Sequence, residues 1–270
     1  MPAAMNFDFN LITVPFRMQP GLRRIDADAM QLTPLDASGQ LYSEKRAVVE
    51  AGVSRQLVPG FDPQPALRAI AALGHSDADP ALAFEEDFAV LDGTTGTLPF
   101  LCVCVPSHWA PEDKLGLDFA ALHAPVADNA LLVAASKQLV ALATNGDCWE
   151  RHVWTINPSP RYDQHPRRHT RTPWPAAGNF TAFARGSWLR AERQCFFPVG
   201  QGTKQAVFSI RVMLQPLAEA VNTPERAQRL HDSLASMTPA VLDYKGLTAA
   251  KEPLLRWLSE CAARAAPQAQ

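Results

Sequence analysis

The stretch Ser187-Trp-Leu-Arg-Ala-Glu-Arg-Gln-Cys-Phe-Phe197, followed by Pro198-Val-Gly-Gln-Gly-Thr203 and Gln205-Ala-Val-Phe-Ser-Ile-Arg-Val-Met-Leu214, decides the fold. Two runs rich in β-branched and aromatic residues flank a proline- and glycine-bearing segment, the pattern of two strands joined as a long hairpin. Successive side chains of a strand face opposite ways, so Arg190 and Glu192 share one face, and Ala191 and Arg193 share the other. Cys148–Ile156 alternates well enough for another strand, and Phe88–Leu91 is a further candidate. The nearly continuous apolar run Leu98–Val105 suits a buried central strand.

Outward from the strands, helical signals appear. Ser43 offers an N-cap to a helix over Glu44–Val53, closing near Gly52. Pro63–Leu73 shows an apolar face of Leu67, Ile70, Ala71 and Leu73 and stops at Gly74. Asn129–Leu142 has helical periodicity, Pro224 starts a helix running to about Ser236, and two more helical stretches follow Thr238/Pro239 and Thr248. Residues 1–40 hold several prolines without a sustained period and read as an extended segment. The reading is one α+β domain, an antiparallel sheet flanked by helices. Its parts are an extended N-terminal segment 1–40, a core 41–222, and C-terminal helices 223–270 packed on that core.

Hydrophobic residues make up 47% and charged residues 19%, which allows a substantial core and argues against wholesale disorder. A net charge of −2 gives no reason to expect a nucleic acid or a membrane as partner. The five cysteines, Cys102, Cys104, Cys148, Cys195 and Cys261, lack the spacing of a disulfide framework or zinc knuckle. Cys102 and Cys104 read as buried structural thiols. Met1–Asn10 lacks a basic region followed by an apolar one, and no stretch approaches about 18 uninterrupted apolar residues. A soluble cytoplasmic protein is the expectation.

Three segments carry chemistry together. In Val105–Asn129, the residues Pro106, Ser107, Trp109, Lys114, Gly116, Leu122, His123, Pro125 and Val126 form one pattern. Arg151-His-Val-Trp154 forms a second. The third pairs Arg190-Ala-Glu-Arg-Gln194 with Ala206-Val-Phe-Ser-Ile-Arg211. In this order they resemble the haem-dependent oxidative N-demethylase alpha-subunit-like family, over roughly residues 40–220.

The resemblance implies a PAS-like sheet cradling one haem b. It also implies oxidative demethylation of a small methylated amine such as dimethylamine, with dioxygen consumed and formaldehyde released. Electrons would come from separate reductase subunits carrying flavin, nicotinamide and iron–sulfur modules, for which this chain shows no motif. Glu192-Arg-Gln-Cys-Phe-Phe-Pro198 and Ile210-Arg-Val-Met213 depart from the family's usual runs, which leaves the substrate open. A non-catalytic, PAS-like haem sensor and a haem-free structural relative are the competing readings.

A histidine ligand to haem iron needs a neutral imidazole oriented through its other nitrogen. His123, in a small apolar setting closed by Pro125, is the candidate ligand, and a satisfied core histidine is the alternative. His108 is the runner-up, and His152 could line the distal side. His165 and His169 fall in the basic, proline-rich stretch Asn157–Gly178 and read as solvated. Lys114, Arg151, Arg190, Arg193 and Arg211 are candidate donors to the haem propionates. Arg190 and Glu192 are the candidate catalytic pair: Glu192 could hold an alkylammonium or accept its proton, or the two could form a register-fixing ion pair. No cysteine falls at a matched family position, so thiolate ligation is not expected. The basic patch Arg161–Arg171 is open to several readings: a solvated loop, a dock for an acidic electron-transfer partner, or a cover over the propionates, with nucleic-acid binding disfavoured by the lack of regularly spaced stacking aromatics and by the negative net charge.

Overall fold

The computed structural model describes residues 7–176, 178–200 and 202–264. The hairpin read from the sequence is its centre: Trp188–Pro198 pairs with Gln205–Pro216 from Pro198↔Ala206 to Trp188↔Pro216. Gly200 and Gly202, both at positive φ, supply the turn conformation that other residues rarely adopt. In chain order the strands are β1 (Arg23–Ile25), β2 (Arg55–Leu57), β3 (Glu86–Asp92), β4 (Phe100–Cys102), β5 (Cys148–Asn157), β6 (Trp188–Pro198) and β7 (Gln205–Pro216). They form one open sheet, β1-β5-β6-β7-β3-β4-β2, in which every neighbouring pair is antiparallel. The fold is a single α+β domain consistent with a PAS-like sheet.

Register assigns the two faces, because directly paired residues point the same way. One face carries Trp154, Ala191 and Met213 at one end and Cys195, Phe197, Val207, Phe88 and Cys102 at the other. Helices Pro224–Ala235 and Lys251–Ala262 cover the first end, and helices Gln40–Glu50 and Gln64–Gly74 cover the second. The opposite face carries Arg151, Val153, Glu192, Gln194, Phe196, Phe208 and Ile210. It is covered largely by connections, namely the segment from Val103 to His123 and the chain after Asn157. The helices Ala130–Ala134 and Ser136–Ala143 close one end of it. We call these the helix-covered and loop-covered faces.

Several local readings change. The N-terminal segment is more than extended chain: Phe7, Phe9 and Ile12 are buried among the C-terminal helices, and β1 lies on β5. Burying such side chains is worth about 1.5–3 kcal/mol each. The run Leu98–Val105 is a strand only over Phe100–Cys102. It leaves the sheet by Val105, whose N–H donates to the Asp87 carboxylate at 2.8 Å instead of to a strand. The first helix starts at Gln40 after a Gly39 cap, and Ser43 bonds back to the Gly39 carbonyl from inside it. Asn129–Leu142 is two helices broken at Ala135. Among the described residues, no helix is long and apolar enough to cross a membrane. All five cysteines are buried and unpaired.

Candidate functional site

The loop-covered face is assembled around Arg190. Its side chain is essentially without exposure, at 1% for the residue, and its donors are taken up by the chain. Nε donates to Ser107 Oγ at 2.7 Å, Nη1 to the Tyr162 carbonyl at 2.9 Å, and Nη2 to the Val105 carbonyl at 3.0 Å. Arg190 therefore fastens both covering segments to β6. A guanidinium so occupied has little left for a ligand.

The same bonds fix Glu192. An arginine can only donate, so Ser107 accepts from Arg190 and turns its own proton toward Glu192 Oε1 in a very short contact. Gln194 donates to the other oxygen, Oε2, at 2.7 Å. The carboxylate is held from both sides over the sheet, with lone pairs left for a further donor. Arg190 and Glu192 share a face as the alternation predicts, yet they communicate through a hydroxyl instead of touching.

Two more cations flank Glu192. Arg151 sits on β5 opposite Gln194. Among the described residues its buried Nε has no hydrogen-bond partner. Burial lowers its affinity for the proton, and Glu192 and Tyr244 oppose that. Lys245, just beyond the helix Pro239–Tyr244, donates to the Trp154 carbonyl at 2.7 Å and lies 5.2 Å from the Phe16 ring centre. Burial pushes its ammonium down to about 8, with Glu192 opposing and Arg151 assisting. Ser107 and Gln194 stand in the matched sequence motifs but carry no site role there, and Tyr244 and Lys245 have no signal in the sequence. A surface cleft of about 360 Å³, lined by Arg171, Trp174, Asp243 and Gly246, adjoins the Tyr244–Lys245 side.

His123 lies on the same side of the sheet, at the end of the short helix Phe119–His123, which Asp118 caps through the Ala121 N–H at 2.8 Å. Its ring stacks on Phe119 at 4.0 Å, and Nδ1 lies 2.7 Å from the Phe119 carbonyl. A carbonyl only accepts, so Nδ1 carries the proton and Nε2 keeps a free lone pair. Burial depresses its protonation, the Phe119 carbonyl opposes this, and Arg151 and Lys114 add to it. The result is a neutral imidazole oriented through its second nitrogen, the form that binds a metal. His108 is exposed and sits at φ 61°, apart from His123.

Three expected residues lie apart from this group. Arg193, Arg211 and His152 are on the helix-covered face. Arg193 bonds Glu150 at 2.5 Å, and Arg211 bonds Glu85 at 2.7 Å. His152 faces Glu150 there, so it does not line the same side as His123.

The basic stretch is not a solvated loop. His165 is 3% exposed, accepts from Arg167 N–H at Nδ1, and donates to Glu112 from Nε2 at 3.0 Å. Asp163 binds Arg168 and His169, while Arg167 binds Glu112 and Asp113. Tertiary ion pairs thus consume much of the positive charge that looked free in the sequence.

Burial raises the thiols, Cys102 to about 11 and Cys195 to about 12, so neither is a ready thiolate. Among the described residues no three histidine, cysteine or carboxylate side chains gather around one point. A porphyrin brings four nitrogen ligands of its own and asks the chain for only one or two more.

The model of a family described as haem-dependent oxidative N-demethylase, alpha subunit-like, matches residues 61–255, well over half of the 270-residue chain. The match takes in Ser107, Lys114, His123, Arg151, Glu192 and Lys245.

Proposed function

Because the chain belongs to this family, we propose that it binds one haem b through His123 and serves the oxidative N-demethylation of a small methylated amine. The observation that carries the reading is the imidazole of His123, neutral and anchored through Nδ1, with Nε2 free. Lys114 and Arg151, the two cations that act on His123, suit the propionate carboxylates, and the partnerless Arg151 Nε supports this. Bound there, haem supplies the oxygen chemistry that the chain's own side chains lack.

The remaining roles belong to the protein. Glu192, clamped by Ser107 and Gln194, offers its free lone pairs to the amine's N–H and is the group placed to hold or accept that proton. Arg190 keeps the covering segments closed over it. Dioxygen is the second substrate, and electrons come from separate flavin and iron–sulfur reductase subunits.

An absorption spectrum of the purified protein after haem-sufficient expression tests the reading. A Soret band is expected, and His123→Ala should abolish it or change it grossly. An unchanged spectrum in His123→Ala removes that ligand, and no band in the parent removes the cofactor. Formaldehyde release from methylated amines, with reductant and oxygen supplied, separates an enzyme from a haem-binding sensor.

A further inference from the structure

Arg190 ties three parts of the molecule to one guanidinium. From β6 it reaches the Val105 carbonyl and Ser107 Oγ on the first covering segment and the Tyr162 carbonyl on the second. Beside it the two segments are joined directly to each other. Gln164 N–H donates to the Pro106 carbonyl at 3.1 Å, and Arg168 Nη2 donates to the Cys104 carbonyl at 2.9 Å. Ser107 immediately follows that seam. The next residue, His108, has φ 61°, a left-handed conformation that a non-glycine residue rarely adopts. Such a conformation persists where its surroundings fix it, and the bonds of Pro106 and Ser107 do so here.

A hydroxyl has one proton to give. Arg190 Nε fills an acceptor position of Ser107 Oγ, which sends that proton to Glu192 Oε1. Without the guanidinium in place, the same hydroxyl can turn to water or to a backbone carbonyl. Arg190 in turn is held by the carbonyls of Val105 and Tyr162, one from each covering segment. The dependence therefore runs one way, from the segments through Arg190 and Ser107 to one oxygen of Glu192. Gln194, on the other oxygen, comes from β6 itself and stands outside this chain of bonds.

We propose that Ser107 is the positioning residue of Glu192, and that through it the carboxylate is aimed at a cationic donor when both covering segments are closed. The donor's identity as a methylated ammonium rests on the reading above. The positioning itself rests on the bonds of Ser107.

Two readouts on the full chain decide this. The first needs no ligand: it is the infrared carboxylate band of Glu192, isolated in each background by difference against the same protein carrying Glu192→Gln. Ser107→Ala should shift that band, and Ser107→Thr, which keeps the hydroxyl, should return it to its place. A band that Ser107→Ala leaves unmoved overturns the proposal, because a serine that only packs would not touch it.

The second readout is the affinity for dimethylammonium chloride, measured by calorimetry. Ser107→Ala should lower it about tenfold, the worth of one hydrogen bond to a charged group. Arg168→Met, which frees the second segment from the Cys104 carbonyl, should weaken binding in the parent and add nothing in Ser107→Ala. Equal losses in the two backgrounds overturn the proposal, since the segments would then act on Glu192 by another route. If dimethylammonium does not bind the parent, or binds Glu192→Gln equally well, the amine reading fails. The infrared band in Ser107→Ala and Arg168→Met still decides whether Ser107 positions Glu192.

Discussion

Arg151 and Arg193 lie on adjacent strands, one residue out of register, and meet opposite fates. Arg193 points to the helix-covered face, where its guanidinium bonds Glu150, and Glu150 also takes Arg23. On that face Arg211 likewise has Glu85. Arg151 points to the loop-covered face, where its buried Nε has no hydrogen-bond partner among the described residues. The helix-covered face resolves its charges within the chain, as a region built for stability does. The loop-covered face leaves cations open, a cost that folding alone does not repay. Under the proposed function, the face with the less balanced charge is also the face that carries the site.

The largest expected effect lies on the balanced face. Glu150→Ala strands Arg193 and Arg23 together, and losing one partner of a largely buried pair should cost about 2–3 kcal/mol. Arg151→Met is the matching change across the sheet. It removes an uncompensated cation, so the ligand-free protein should keep its stability or gain about 1 kcal/mol. Denaturant midpoints at unchanged slope measure both. Should Arg151→Met prove as damaging as Glu150→Ala, Arg151 has a structural partner and the contrast between the faces collapses.

The two faces also differ in how far the sequence discloses them. β5, β6 and β7 are long enough to show a period of two, so their extents and the shared face of Arg190 and Glu192 are readable. β1 and β2 have three residues each, too short for any period, and exist through their pairing with β5 and β4. On the site side, His123 is legible as a chemical type within a matched segment. Its stacking on Phe119 and its carbonyl anchor depend on a five-residue helix that no periodicity reveals.

Parity alone could have set Arg193 apart from Arg151 once the β5–β6 register was known, but register is a tertiary fact. Lys245 reaches the Trp154 carbonyl across 91 residues, and the partners of His165 and Arg167 lie in the segment around Glu112. Such groupings follow from the folded path, so a linear reading gives their ingredients without their neighbours.

The smallest effects are in the pH dependence, and here the faces should act at opposite ends of the scale. Burial pushes the Glu150 carboxyl up, but hydrogen bonds from Arg193 and Arg23 outweigh it and hold the group below its ordinary 4.5. A depressed acid adds stability that is complete above 4.5 and is lost as the pH falls through its folded value. His152, beside Glu150, is itself depressed chiefly by burial. Asp163 is also depressed, so Glu150→Gln should remove only part of the acid limb.

Lys245 works the other way. Its ordinary 10.5 falls to about 8 in the fold, so between those values the unfolded chain holds the proton that the folded chain has released. Stability contributed by this group should therefore rise with pH from about 8 toward 10.5. Unfolding free energies across that window should show the rise in the ligand-free protein and lose it in Lys245→Met. A flat profile across that window in the parent protein would mean that the fold does not desolvate the Lys245 ammonium.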